Sequence, residues 1–400
     1  MDLKVQTALD KLQAVKKRIE ALAFERQAEI LAGILALLTR QHCFIVGVPG
    51  LAKSLLIREL CKRITGTRYF EHLLSREVTT DELFVSETHF VEKELGPGSK
   101  SVRFENDLTG KAADSEVVFL DEMFKGNATL LNALLSLLNE RIYHNGAQLV
   151  RCPLISLFAA SNELPDPEEG LAALYDRLLF RVEAHPIAEK ANRIAFTRAQ
   201  VEKRERVAVG EPTYPVGATI TLGELRLLQD EVAMIAVPDL IHEKLFELFV
   251  RLSEEGIVIS DRRYGRLPLV LQASALLAGR DTVSLVDFTN LQYVLWDDPK
   301  DQQTVRKVIL EFANPLENEA LRVADAVGDA VRNALAASGT DQQKLGTEAT
   351  AKLKSALAEL GRLKTEAENQ QLPTEKIEEL IEKLRENQKE ILKVCFGIEG

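Results

Sequence analysis

Residues 47–54 read Gly-Val-Pro-Gly-Leu-Ala-Lys-Ser, and their types and spacing suit the binding of a chain of phosphates. Small residues let successive backbone N–H groups curl toward an anion at the start of a helix, where the helix dipole is positive. Lys53 is spaced to reach the outer phosphates and Ser54 to ligate Mg²⁺. The order is that of the phosphate-binding loop G-x-x-x-x-G-K-[ST], with Ala52 standing at the second glycine. Further along, VVFLDE is an apolar run that delivers Asp121 and Glu122 together at its end. In an open α/β sheet that is the edge where ligands bind. Asp121 suits a water-mediated hold on Mg²⁺, and Glu122 suits orientation and polarisation of a water attacking the γ-phosphate. Each motif alone has a plain alternative, a Gly-rich turn or a helix N-cap pair, but neither alternative predicts the other motif.

Asn162 closes a third apolar run, where its amide could hydrogen-bond the γ-phosphate or the attacking water; a turn asparagine before Pro165 is the plainer reading. Asp176-Arg177-Leu178-Leu179-Phe180-Arg181 and Ser260-Asp261-Arg262-Arg263 offer arginines suited to developing phosphoryl charge, one of which could act across a subunit boundary. Spacing alone does not distinguish them from surface ion pairs. The six histidines, His42, His72, His89, His144, His185 and His242, stand singly, so no zinc site is expected.

Short strands and helices must position these groups. Apolar β-rich runs at residues 42–46, 117–120 and 154–160 precede the Gly-rich loop, Asp121 and Asn162 respectively. Helical spacing follows at residues 54–64 and along the face of Leu130, Leu131, Leu134, Leu135 and Leu138, while residues 3–39 read as two helices broken near Phe24. Continuous apolar strands alternating with helices imply a parallel sheet covered on both faces, so residues 1–188 are expected to form an α/β core. Residues 189–300 carry helical spacing at 222–228, 241–252, 267–277 and 285–295 and are expected to be all-α. Residues 301–400 are expected to form a helical module with helices at 316–335, 345–367 and 377–394, the last two split around Pro373. Leu353, Ala356, Leu360, Leu363 and Ala367 follow a heptad, as do Ile377, Leu380, Leu384, Ile391 and Val394 with Asn387 interrupting, which predicts a hairpin packed on the remaining helix.

The 400 residues are 46% hydrophobic and 28% charged, which excludes a disordered or collagen-like chain. A net charge of −11 provides no global field for a polyanion, and one Trp with six Tyr leaves no basic stripe interleaved with aromatics, so nucleic-acid binding is not expected. Cys43, Cys61, Cys152 and Cys395 are widely spaced and form no CxxC pair, which reads as reduced and cytoplasmic. No basic start followed by an apolar segment marks a secretory signal. The apolar run at residues 31–38 is less than half of the ~20 residues that span a bilayer, so no membrane insertion is expected.

On FERQAEI near Phe24, GVPGLAKS, VVFLDEMFK, LLNALLSLLNER, AASNELPDPEEGLAALYDRLLFR and ISDRRYGR, the chain resembles the MoxR family of AAA+ ATPases, and within it the branch called RavA. The likeness spans roughly residues 15–300. That family also shows alanine before the loop lysine. The resemblance implies a P-loop NTPase (AAA+) α/β core, an all-α lid and a C-terminal helical module. It implies nucleotide contacts from Gly47, Val48, Pro49, Gly50, Leu51, Ala52, Lys53, Ser54 and Leu55, with Ser54 and Asp121 as the Mg²⁺ ligands. Glu122 then matches the Walker B glutamate, Asn162 sensor 1, Arg177 the trans-acting arginine finger and Arg262 sensor 2 of the lid; Arg177 is set above Arg181 by its DR pair. The clade places inserts facing the pore or substrate at residues 107–115 and 137–146. A β-rich insertion carried by RavA relatives finds no room at residues 337–345.

The resulting expectation is a Mg²⁺-dependent ATPase, assembled as a hexameric ring, that remodels or matures a protein partner. The resemblance suggests that this partner contains a von Willebrand factor A domain. Two alternatives are a nucleic-acid motor, which the acidic balance disfavours, and an ATP-binding scaffold with little turnover, which an intact Glu122 disfavours.

Overall fold

The computed structural model describes residues 2–96, 99–145, 148–165, 171–208, 217–336, 340–369 and 374–396. Contacts group the chain into two compact units. One comprises Met1–His242, Ile257–Val283 and Tyr293–Gln302; the other comprises Glu243–Gly256, Ser284–Gln292 and Gln303–Gly400.

The first unit opens with α1 (Leu3–Glu20), α2 (Gln27–Thr39), β1 (Cys43–Val46) and α3 (Lys53–Lys62). A short β2 (Ile64–Thr65), β3 (Tyr69–Leu73) and α4 (Thr80–Phe84) lead to a hairpin of β4 (Glu87–Gly96) and β5 (Ser99–Asp107). Then come β6 (Val117–Asp121), α5 (Ala128–Glu140), a second hairpin of β7 (Ile142–Asn145) and β8 (Gln148–Arg151), and β9 (Ser156–Ser161). The short α6 (Ala172–Tyr175), β10 (Phe180–Glu183) and α7 (Lys190–Ala208) follow.

The sheet has the order β10-β1-β9-β6-β3, with every pairing parallel. β1 and β9 are buried along their whole length, which is why CFIV and SLFAAS read as continuous runs rather than alternations. Two members went unread. β3 (YFEHL) is an edge strand with one neighbour and half-exposed side chains, so Glu71 and His72 interrupt its apolar pattern. β10 is buried but carries Arg181 among Phe180 and Val182, and an arginine inside a strand hides the run.

Two antiparallel hairpins stand outside the five-stranded sheet, at 87–107 and 142–151; residues 107–115, where an insert was expected, hold the end of β5 and a 3-10 turn at Ala112–Asp114. Of the 137–146 segment, α5 takes the residues through Glu140, and Gly146 lies outside the described residues. Strands such as ETHFVEKELG interleave charged with apolar residues and leave no core-facing run to read.

Beyond α7 lie β11 (Ile220–Thr221), α8 (Leu222–Val232), α9 (Asp239–Glu254), α10 (Asp261–Tyr264) and α11 (Leu267–Leu277), and the run expected as a helix at 285–295 is a 3-10 segment, Leu285–Tyr293. The α7 helix carries Ile194, Phe196 and Val201 on no single stripe, which explains its absence from the periodicity reading. In the second unit α12 (Gln302–Ala313), likewise unread, precedes α13 (Pro315–Ala336), α14 (Thr340–Asn369) and α15 (Glu375–Phe396). These last three pack mutually around Leu353, Leu360, Leu363, Ile377, Leu384 and Ile391. Val394 is 43% exposed and Cys395 is buried in its place, so the α15 stripe steps by four after Ile391 where the heptad expected three. Pro373 and residues 337–339 lie outside the described residues. All four cysteines are unpaired and buried, and among the described residues no helix is long and apolar enough to cross a membrane.

Beneath the sheet, His42 and Arg141 tie the ends of two helices to β9. The Leu157 N–H donates to His42 Nδ1 at 3.0 Å, while His42 Nε2 lies 3.2 Å from the Leu138 carbonyl and 3.0 Å from Arg141 Nη1. Arg141 ends α5 in the left-handed conformation (φ 57°) and its guanidinium donates to the carbonyls of Leu138, Arg40 (2.7 Å) and Ile155 (3.5 Å). It thereby covers the negative C-terminal ends of α2 and α5 with one cation. Burial, assisted by Arg141, lowers the His42 pKa to about 3. A base held neutral in the fold takes up its proton only in the unfolded chain, so stability falls as pH drops from 6.5 toward about 3. Urea unfolding at mildly acidic pH should therefore show the wild type losing up to about 1.4 kcal/mol more per pH unit than His42→Gln; equal slopes would show that His42 does not contribute this linkage.

Candidate active site

Parallel register brings the ends of β1, β6 and β9 to one sheet edge, with Val46 paired to Ser161 and Leu120 to Ala159. From that edge residues 47–52 cross to α3. The Gly47 N–H donates to the Ser161 carbonyl at 3.2 Å, and a Cβ on Gly47 would lie 2.6 Å from the Ala184 carbonyl oxygen, so the backbone just past β10 admits only glycine here. Ala52 is the N-cap of α3 and sits at φ 60°, ψ 28°. The left-handed geometry that glycine gives this loop elsewhere is therefore kept, with a strain of about 1–2 kcal/mol on the alanine Cβ.

Lys53 folds back over the loop. Its Nζ donates to the Gly47 carbonyl, to the Ser161 carbonyl at 3.1 Å and to Asn162 Oδ1 at 3.0 Å. Burial pulls its pKa below the ordinary lysine value, while Asp121 and Glu122 push it back up. Asn162 is the hub: Oδ1 accepts from Lys53 and Nδ2 donates to Glu122 Oε1, which orients its amide. Glu122 itself is left-handed (φ 53°), a strained conformation at the turn out of β6. Its Oε2 is buried without a hydrogen bond but lies 3.1 Å from Lys125 Nζ in an ion pair. Sequence reasoning passed over Lys125; its place three residues after Glu122 was the available signal.

Ser54 Oγ donates to Asp121 Oδ2 at 3.0 Å, and Asp121 Oδ1 accepts from the Glu122 N–H at 3.1 Å. One hydroxyl and one carboxylate converging on a phosphate-binding loop fit Mg²⁺, which takes its remaining ligands from water and phosphate. Among the described residues no group of three His, Cys, Asp or Glu gathers to hold a metal without such help.

Beside the loop lies a largely apolar cavity of about 320 Å³, lined by Leu22, Phe24, Leu51, Leu55, Ile187 and Phe196 among others. Phe24 and Phe196 meet edge to face, 6.1 Å between centroids. Glu25 holds the walls together: its carboxylate accepts from the N–H groups of Ala188 (2.7 Å) and Glu189 (3.0 Å) and from Asn192 (2.9 Å). These hydrogen bonds at the start of α7 lower its pKa. Leu55 was expected among the nucleotide contacts; the aromatic walls were missed because the chain brings them from two distant segments.

Arg177 and Arg262 stand elsewhere. They line a cavity of about 110 Å³ together with Gln41 and His42, the residues that precede β1, and so face the N-terminal sheet edge. The four residues of β1 put about 13 Å between the two edges. Arg262 pairs with Asp176 at 2.8 Å, and half-buried Arg177 donates to Asn139 Oδ1 and the Ala173 carbonyl. Burial lowers the Arg177 pKa and Arg262 lowers it further. Arg181 is fully buried: it stacks 4.0 Å over Tyr175 and donates to the carbonyls of Trp296 (2.8 Å) and Tyr175 (2.9 Å) and to Asp297 (2.7 Å). A side chain so enclosed reaches no second chain. The structure thus gathers Lys53, Ser54, Asp121, Glu122 and Asn162, and sets Arg177 and Arg262 apart from them.

Residues 10–208 match the model of the MoxR domain of MoxR-vWA-beta-propeller ternary systems, and residues 239–309 match an AAA lid domain. Two uncharacterized proteins of Methanocaldococcus jannaschii are similar: MJ0079 at 36% identity, covering 80% of this chain and 79% of its own, and MJ0812 at 32%, covering 93% and 96%. Chaperone MoxR1 of Mycobacterium tuberculosis is 23% identical over 76% of this chain and 83% of its own. A crystal structure of a protein from Cytophaga hutchinsonii shares the fold at TM-score 0.60, with 17% identity over 78% of this chain and 96% of that one. The chain is a member of the MoxR family of AAA+ ATPases, with an α/β core and a helical lid.

Proposed function

We propose that this protein is a Mg²⁺-dependent ATPase that works as a ring, a hexamer on the family pattern, and remodels or matures a protein partner in the cytoplasm. The observation that carries the reading is the continuous polar network Lys53–Asn162–Glu122, adjoining Ser54–Asp121 on one sheet edge, with Arg177 and Arg262 on the other. In this reading residues 1–188 are the ATPase core, 189–300 the lid and 301–400 a helical module. The mutual packing of α13, α14 and α15 supports the RavA-like comparison. The ternary systems named for the matched domain support a von Willebrand factor A partner.

Residues 47–55 would wrap the phosphates, and the apolar cavity beside Leu55 suits the base, which stacks against Phe24 or Phe196. Lys53 now satisfies carbonyls that phosphate oxygens would replace. Glu122 would orient the attacking water and receive its proton, with Asn162 setting the carboxylate's angle through Oε1. Mg²⁺, held by Ser54 and through water by Asp121, would neutralise phosphate charge when bound. Arg177 and Arg262 lie at the wrong edge for this chain's own nucleotide, so both would serve the nucleotide of a neighbouring copy.

Mass photometry with phosphate release tests the reading. Mg-ATP should drive growth from monomer to a ring. Glu122→Gln should lose about 10²–10⁴-fold in turnover while still binding ATP, and Arg177→Ala should lose turnover without losing binding. Unchanged turnover in Glu122→Gln, or an ATP-bound monomer that hydrolyses at the wild-type rate, would sink it. For the base cavity, Phe196→Ser should raise KM for ATP about tenfold with kcat retained; an unchanged KM would place the base elsewhere.

A further inference from the structure

The cavity at the N-terminal sheet edge is lined by Arg141, Arg177, Arg262, Arg263 and Arg266, with Asp176 the one acid among its lining residues. Most of this charge is committed within the chain. Arg141 serves backbone carbonyls. Buried Arg263 makes two bonds to Asp297 (2.8 and 3.3 Å), and Arg262 pairs with Asp176. Arg177 is held by Asn139 and Ala173. Arg266 is exposed, and among the described residues no hydrogen bond or ion pair engages its guanidinium.

Local electrostatics oppose that placement twice. Arg266 is the N-cap of α11, where unpaired N–H groups already make the helix end positive and an acid or a hydroxyl is the stabilising choice. Four other arginines line its cavity against one acid, Asp176, and its charge is one of those that lower the Arg141 pKa. A cation repelled by its helix and by its neighbours is a local conflict of the kind that marks a functional position, and an anion from outside the chain resolves it. The cavity wall that presents Arg177 and Arg262 presents Arg266 as well, so the three arginines border one small volume of about 110 Å³. That multiplicity suits a triphosphate, whose charge is spread over several oxygens, better than a single carboxylate.

We infer that Arg266 is a third phosphate-contacting arginine, acting on the nucleotide held by a neighbouring copy of this chain. The inference rests on the reading that places Arg177 and Arg262 in trans.

The test compares Arg266→Gln and Arg266→Lys with Arg177→Ala, each alone and mixed with Glu122→Gln. The Glu122→Gln chain binds ATP and cannot hydrolyse it, yet presents intact arginines to its neighbour. Arg266→Gln alone should keep its ring mass and its ATP binding and lose about tenfold in kcat. Arg266→Lys should recover part of the loss, and mixing with Glu122→Gln should restore turnover to the Arg266→Gln subunits. Wild-type kcat in Arg266→Gln, while Arg177→Ala is inactive and rescued by mixing, would overturn the inference and leave the trans reading standing. Loss of ring mass in Arg266→Gln would overturn it in favour of a contact with an acidic side chain of the neighbour. If mixing rescues neither arginine variant, the reading in trans falls and the inference falls with it.

Discussion

The parallel pairing of β1 with β9 and of β9 with β6 is the constraint on which the rest of the molecule depends. These strands are buried on both faces, so a slip of one residue would drive every side chain into the wrong layer. Register is therefore held by the core, and with it the single edge where Gly47, Asp121 and Asn162 emerge. The Gly47 N–H bond to Ser161 and the crowding of Gly47 against Ala184 extend that register from the strands into the loop. Lys53 then closes the edge by spanning Gly47, Ser161 and Asn162 with one ammonium.

Backbone strain is placed where the chain leaves this framework. Ala52 and Glu122, both left-handed without being glycine, sit at the two turns that carry the phosphate loop and the acid pair. Such conformations persist only where surroundings over-determine them. Glu122 is so held by Asn162 on one oxygen and Lys125 on the other. Glu25 and Arg141 share the conformation, and each uses it to aim a charged side chain at helix termini: a carboxylate at the start of α7, a guanidinium at the ends of α2 and α5. In both pairs the sign of the charge opposes that of the helix end.

The arginines divide by burial into structural and available groups. Arg181 and Arg263 converge on Asp297 and secure β10 and α10 to the segment around Trp296. Enclosed cations of this kind lose stability if their partner is removed, because the remaining charge has no water to return to. Arg177, Arg262 and Arg266 keep solvent access where they line the cavity at the same sheet edge.

The polar cluster of Lys53, Ser54, Asp121, Glu122 and Asn162 was largely legible in the sequence because its parts are local: GVPGLAKS and VVFLDE each place their polar residues at the end of one buried strand, and a buried strand announces itself as an apolar run. Helices with one apolar stripe, such as α5 and α14, were legible for the same reason. Edge strand β3, the two hairpins and helix α7 were not, since elements with exposed faces carry no consistent pattern. The sequence by itself thus determined which residue types could bind phosphate and activate water, as spacing along one strand or one loop is a covalent property. Only the tertiary structure decided that Arg181 is enclosed while Arg177 is not, that Phe24 and Phe196 share a cavity, and that Arg262 and Arg266 stand with Arg177 at the edge away from Lys53. Those relations join segments far apart in the chain, and sheet register and burial, which no local pattern encodes, bring them together.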